Sequence, residues 1–197
     1  MKCPVCKRDN LTKCQLEADL PAYQCNKCGG IWISAAQYWK WLKRRDDDLA
    51  EPPISIDAPL LVEEVGQAKL CPDCGHILRR YQVWPNVKFY LDHCEHCSSV
   101  WFDRDEWDVL KSRGLHAQVH IFFSDLWQEK IRAEESKRQL EKIYLDRFGA
   151  EDYGRLKEIK EWVDGHPQRG ALLAYLSDRD PYRAIPDSHN ELFQKTQ

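Results

Sequence analysis

Cys3-Pro4-Val5-Cys6 and Cys25-Asn26-Lys27-Cys28-Gly29-Gly30-Ile31-Trp32 are followed, further along the chain, by Cys71-Pro72-Asp73-Cys74 and Cys94-Glu95-His96-Cys97-Ser98-Ser99-Val100-Trp101. The first cysteine pairs lie 68 residues apart, and the second pairs and the tryptophans lie 69 apart. One unit therefore occurs twice, with one extra residue between the pairs of the second copy. A C-x-x-C turn aims two sulfurs at one point. Two such turns, brought together by a hairpin, close a tetrahedral shell of four thiolates, which suits zinc. Each copy is too small to build a sufficient core, so metal binding would supply its folding energy, on the order of 10–16 kcal/mol per structural site.

The spacing predicts the local structure. The 18 and 19 residues between the pairs hold two short strands and a turn. These are Leu11–Leu16 and Ala22–Cys25 around Pro21 in copy one. In copy two they are Ile77–Val83 and Val87–Asp92, joined at Trp84-Pro85-Asn86. Ser34-Ala35-Ala36-Gln37 and Asp103-Arg104-Asp105-Glu106 both fit a capping box, so a helix should follow each ribbon. Tyr38, Trp41 and Leu42 give the first helix an apolar stripe, Trp107 and Leu110 the second, with Gly114 as its stop.

With these residues in view, the C-P-x-C, C-x-x-C, G-I-W and W-x-D-x-x-E elements resemble the transcription-factor-IIB-type zinc-ribbon family. The resemblance covers about residues 1–45 and 69–115. It implies that Cys3, Cys6, Cys25 and Cys28 bind one structural Zn²⁺ and that Cys71, Cys74, Cys94 and Cys97 bind a second. Trp101, Asp103 and Glu106 match W-x-D-x-x-E, whereas copy one has Ser34 and Gln37 at the acidic positions, and Ser98-Ser99 replaces Gly29-Gly30 in copy two. The expected fold is a small zinc-stabilised α+β protein with two tandem ribbons, each a hairpin plus a short helix, and a helical C-terminal region.

The remaining chain divides by composition. Residues 1–45 and 69–117 are the two ribbons with their helices. Residues 46–68 read as a linker: Asp46-Asp47-Asp48 ends the first helix zone, Pro52, Pro53 and Pro59 oppose regular structure, and Leu60, Leu61, Val62 and Val65 could pack on a ribbon or on the helical part. Residues 118–180 read as helical. A long helix runs from a Ser124 cap to Phe148 with a polar middle at 132–139, a second spans about 151–164, and a third about 168–177. The last two are expected to form a hairpin. Residues 181–197 read as a disordered tail.

Charge limits the partners. The chain of 197 residues has 29 Lys+Arg and 32 Asp+Glu. No segment is strongly basic: residues 1–50 hold 9 basic and 6 acidic side chains, 51–117 hold 7 and 11, and 118–197 hold 13 and 15. An avid duplex binder usually carries a basic footprint. Nine cysteines in a chain that enters a cysteine motif at once, with no long apolar run, read as cytoplasmic and metal-binding rather than disulfide-bonded.

Candidate partner-binding residues are Lys40, Trp41, Lys43, Arg44 and Arg45 at the end of the first helix, and Arg79, Arg80, Lys88 and Tyr90 on the second ribbon. Their alternatives are helix-end charge placement and ordinary exposed strands. Cys14 reads as a structural thiol, and His76, His93 and His96 as surface groups rather than substitute ligands. A C-x-x-C redox site or an iron site of rubredoxin type is the rival to zinc, but no thioredoxin-like pattern is present. A closed four-cysteine shell leaves no open coordination position, and there is no Gly-rich phosphate loop or G-x-S-x-G. The expectation is a non-enzymatic interaction protein that takes protein or nucleic acid and has no small-molecule substrate. Homo-oligomerisation through the C-terminal helices stays open, and a thiol redox or chaperone-like role is the other class.

Overall fold

The computed structural model describes residues 1–45, 51–55 and 66–183. These fall into two compact units that divide between residues 139 and 140.

In the first unit the two copies share one sheet. Copy one contributes β1 (Thr12–Glu17), β2 (Leu20–Gln24) and β3 (Ile31–Ile33), and copy two contributes β4 (Arg79–Gln82), β5 (Tyr90–His93) and β6 (Val100–Phe102). The order is β1-β2-β3-β6-β5-β4. The sequence leads one to expect two modules in series, but β3 and β6 pair antiparallel and weld them edge to edge. Trp32 faces Trp101, Ile31 faces Phe102, and Ile33 faces Val100. Equivalent residues thus exchange places across the seam, as a two-fold contact requires. The third strands are absent from the sequence-based expectation because three residues after a knuckle carry no period to read.

Strand alternation divides the core. Ile31, Ile33, Val100 and Phe102 turn to one face and join Tyr38, Trp41, Trp84, Trp107, Phe122 and Trp127. Trp32 and Trp101 turn to the other face and pack with the metal-site cysteines, Leu11 and Leu78. That is the period of two expected of strands buried on both faces.

Helix α1 (Ala35–Leu42) starts where Ser34 Oγ accepts the Gln37 amide at 3.4 Å. Gln37 Oε1 has no partner, so only half of the predicted box forms. Helix α2 (Glu106–Ser112) shows the other half: Glu106 Oε2 accepts the Asp103 amide at 2.8 Å, while the Asp103 carboxylate caps nothing. A short 3₁₀ turn (His116–Gln118) and α3 (Val119–Phe122) follow.

Helix α4 (Asp125–Phe148) is capped by Ser124, whose Oγ accepts the Trp127 amide at 3.3 Å. Its first turns are stitched to the second hairpin. Trp127 Nε1 donates to the Val83 carbonyl at 3.0 Å, and Gln82 Nε2 donates to Glu135 at 2.8 Å. The 132–139 stretch is therefore exposed except at Glu134 and Glu135.

In the second unit, α4 ends at Gly149 (φ 77°), and α5 (Ala150–Asp164) and α6 (Arg169–Ser177) follow and touch each other. Of the predicted linker, Trp84 Nε1 donates to the Pro53 carbonyl at 3.2 Å and Ile54 packs on the helical face of the core. The predicted roles of Asp46-Asp47-Asp48, Pro59, Leu60, Leu61, Val62 and Val65, and of the tail from residue 184, fall outside the described residues. No described helix is long and apolar enough to cross a membrane.

Candidate metal centres

Four copies of one turn make the two sites. The residue after the second cysteine of each pair has positive φ: Lys7 62°, Gly29 76°, Gly75 77° and Ser98 55°. Its amide donates to the carbonyl of the first cysteine, at 2.9, 2.8, 3.0 and 2.7 Å respectively. This turn folds the backbone under both sulfurs, and two non-glycine residues accept the left-handed conformation to complete it.

The sulfurs fit a tetrahedral ion. Zn–S bonds of about 2.3 Å place tetrahedral sulfurs about 3.8 Å apart. In the first site Cys3 and Cys28 are 3.6 Å apart and Cys6 and Cys25 3.9 Å. In the second, Cys71 and Cys97 are 3.6 Å apart, Cys74 and Cys94 3.4 Å, and Cys74 and Cys97 3.8 Å. Amides support the shells, with Cys6 N 3.3 Å from Cys3 Sγ and Cys74 N 3.4 Å from Cys71 Sγ. As free thiols, Cys3, Cys6 and Cys28 are pushed up to about 11 by burial first of all. A cation is what makes four thiolates tenable here, so folding and metal binding are linked.

No histidine joins either cluster among the described residues. His93 stacks on Phe123 at 4.2 Å, and His76 stacks on His96 at 4.1 Å. Cys14 is half-buried against the helical face of the core, and burial raises its thiol.

The two copies hold each other's knuckles. Arg104 Nε donates to the Cys28 carbonyl at 3.0 Å and its Nη2 to Lys27 at 3.3 Å. Ser99 Oγ accepts the Ala35 amide at 3.2 Å, so copy two caps the helix of copy one. The unequal pairs Gly29-Gly30 and Ser98-Ser99 thus belong largely to the joint between copies.

One buried ionic cluster supports the second site, and sequence reasoning missed its centre. Lys69 is 1% exposed. Its Nζ donates to Asp92 at 2.5 Å and to Asp103 at 2.7 Å, and Trp101 Nε1 donates to the other Asp103 oxygen at 2.8 Å. Burial disfavours the Lys69 charge, but the two carboxylates outweigh it and raise the group. Burial raises Asp92 against the pull of Lys69, and it raises Glu106 well above the usual carboxylate range, helped by Asp103. A lone lysine two residues before a cysteine gave no signal of this.

The structure does not gather the candidate partner residues. Trp41 is 3% exposed and belongs to the core, a correction to its reading as a surface residue: its ring packs at 6.2 Å from Trp107. Arg45 lies over Trp41 and bonds Glu17 at 3.2 Å, and Arg44 pairs with Asp19 at 3.1 Å. Arg79 pairs with Glu95 at 2.8 Å and Arg80 covers Tyr90. Lys40, Lys43 and Lys88 are exposed. Helix α1 packs on β2, whereas Arg79 and Arg80 lie on β4 at the far edge of the sheet, so these candidates do not share one face.

Fold and sites together define a zinc-stabilised α+β protein with two four-cysteine centres in one sheet. Residues 2–44 match the family model described as Transcription factor zinc-finger, the transcription-factor-IIB-type zinc ribbon. Residues 69–115 lie outside that match; they hold the second four-cysteine cluster, and their β6 pairs with β3 of the first copy. No curated protein and no solved structure matches the chain.

Proposed function

We propose that the protein is a non-enzymatic adaptor: a zinc-welded platform that carries a helical unit which docks a protein partner. The observation that supports this reading best is the apolar surface of residues 140–183. Ile143, Leu156, Ile159, Trp162, Leu173, Tyr175 and Leu176 are 43–57% exposed, and within this unit the one buried hydrophobic among the described residues is Val163. So much exposed apolar surface marks an interaction site. The closed cysteine shells are in keeping with a structural rather than catalytic use of the metal.

Affinity capture with the full zinc-loaded chain, compared with a Leu173→Asp/Leu176→Asp variant, tests the reading. The variant should lose a partner that survives nuclease treatment. Retention of every partner would sink it.

The family match at residues 2–44 favours a second reading, nucleic-acid association. That reading requires binding that weakens steeply with salt. Internal pairing of Arg44, Arg45 and Arg79 weighs against it.

A further inference from the structure

A cavity of about 250 Å³ opens where α1, β3, β6 and α3 meet. Its walls are carbon-rich, with Tyr38, Trp39, Phe102 and Phe123 around Val100 and Val119. Among the described residues, no Asp, Glu, Lys or Arg lines it. The seam between the two copies creates it: Ile33 and Ala35 come from copy one, and Ser98, Val100 and Phe102 from copy two. The α3 segment closes it with His120, whose ring lies 4.9 Å from Trp39.

We propose that this cavity is a binding site for one neutral aromatic group. An apolar cavity of ~150 Å³ already admits a benzene ring, so the space holds one ring or two fused rings. Aromatic walls favour a planar guest through offset and edge-to-face contacts. The lining includes two ionisable imidazoles, His93 and His120, and without an Asp, Glu, Lys or Arg beside it a charged guest would lose its hydration for little in return, so a neutral guest is favoured. Tyr38 hydroxyl is committed to the His116 carbonyl at 3.4 Å and to His120 Nδ1 at 3.3 Å. Burial holds His120 below its ordinary value, so the imidazole is uncharged near neutral pH. Trp39, 43% exposed, stands among the lining residues with one part in solvent. The proposal is independent of the adaptor reading, which rests on residues 140–183.

The test is an NMR titration of the zinc-loaded full chain with indole. Saturable shifts should appear at the Trp39 indole N–H and at Val119–Ser124, with a Kd below about 1 mM. Benzoate, the same size but charged, should bind ~10-fold or more weakly. Ala35→Leu, which fills the cavity, should weaken indole ~10-fold with zinc content unchanged. Trp39→Ala, at an exposed position, should do the same without risk to the core. N-acetyl-tryptophanamide separates two sources of the same chemistry. Tighter binding than indole means a partner's aromatic side chain, and weaker binding means a free aromatic molecule. Shifts that do not saturate, or equal affinity in both variants, would overturn the site.

Discussion

Gly30 lies against the indole of Trp101, its counterpart's tryptophan in the other copy: a Cβ at residue 30 would stand 2.1 Å from Trp101 Cζ2 and 2.7 Å from Cη2. Trp101 is fully buried and its Nε1 is tied to Asp103, so it cannot yield. Gly30→Ser, which copies the residue found at 99, should therefore cost at least about 2–3 kcal/mol through overpacking. Ser99→Gly should cost about 1 kcal/mol, because it removes the oxygen that caps Ala35. Urea unfolding of the zinc-loaded variants measures both. Equal costs would mean that the two knuckles do not differ in this way.

Lys69 is the counter-ion of two buried carboxylates, and its loss should be felt through them. Lys69→Met leaves Asp92 and Asp103 buried without the cation that both carboxylates face, although Trp101 still donates to Asp103. Removing one member of such a cluster costs roughly 3–5 kcal/mol. A triple variant, Lys69→Met/Asp92→Asn/Asp103→Asn, should recover much of that loss. Thermal unfolding with zinc present reads the difference. No recovery in the triple variant would show that Lys69 acts through packing alone.

Much of this architecture was legible in the residues. The duplicated cysteine pairs declare two four-sulfur sites, and the sulfurs converge as the spacing requires. The Ser124 cap and the Gly149 stop bound the long helix, because helix ends carry local chemistry that a sequence displays. The seam was not legible. Ile31-Trp32-Ile33 and Val100-Trp101-Phe102 are uniformly apolar, so they show that both faces are buried without showing against what. Lys69 gave no warning, since a buried lysine is recognised only when its carboxylates arrive from distant positions. Trp41 was readable both as part of an apolar stripe and as a partner-binding residue, and the Gly-Gly and Ser-Ser pairs carried no reading, because the second copy, which covers or grips them, is remote in sequence. The aromatic cavity is invisible for the same reason.

Glu106 gives the fold a pH dependence of definite sign. Burial and the neighbouring Asp103 raise it well above the ordinary glutamate value, while Lys69 opposes the shift. The folded chain then holds a proton that the unfolded chain releases, so the native state binds more protons in the window from the ordinary value upward to the raised one. Stability must fall as pH rises through that window. Glu106→Gln keeps an oxygen for the Asp103 amide and removes the ionisation. It should flatten the dependence above the ordinary glutamate value and leave the variant more stable than the wild type at the alkaline end. Chemical unfolding at fixed zinc across that range is the measurement, and a wild-type slope of opposite sign would refute the account.

The seam predicts that the metal sites fail together. Trp32 and Trp101 face each other and pack in one cluster with cysteines of both shells. Cys28→Ser removes one ligand from site one and leaves site two chemically complete. Zinc should nonetheless dissociate faster from site two, by ~10-fold or more, because its folding linkage runs through the shared sheet. Metal release to a chromogenic chelator reads the two sites as phases. Two independent phases, one of them at the wild-type rate, would mean that the seam transmits nothing.

Thiol chemistry separates a structural metal protein from a redox one. In the zinc-loaded chain eight cysteines are ligands and Cys14 alone is free of the clusters among the described residues. Cys14 is half-buried and burial raises its thiol, so its thiolate fraction near neutral pH is small. Alkylation of the native protein should therefore modify one cysteine, Cys14, and more slowly than a free thiol of ordinary acidity. Chelation should expose the other eight to rapid modification. Mild oxidant should leave the zinc content at two, because ligands held by both the metal and backbone amides are poor nucleophiles. If oxidant instead releases zinc reversibly and forms disulfides within the C-x-x-C pairs, the metal centres are redox elements, and the adaptor reading gives way to a thiol switch.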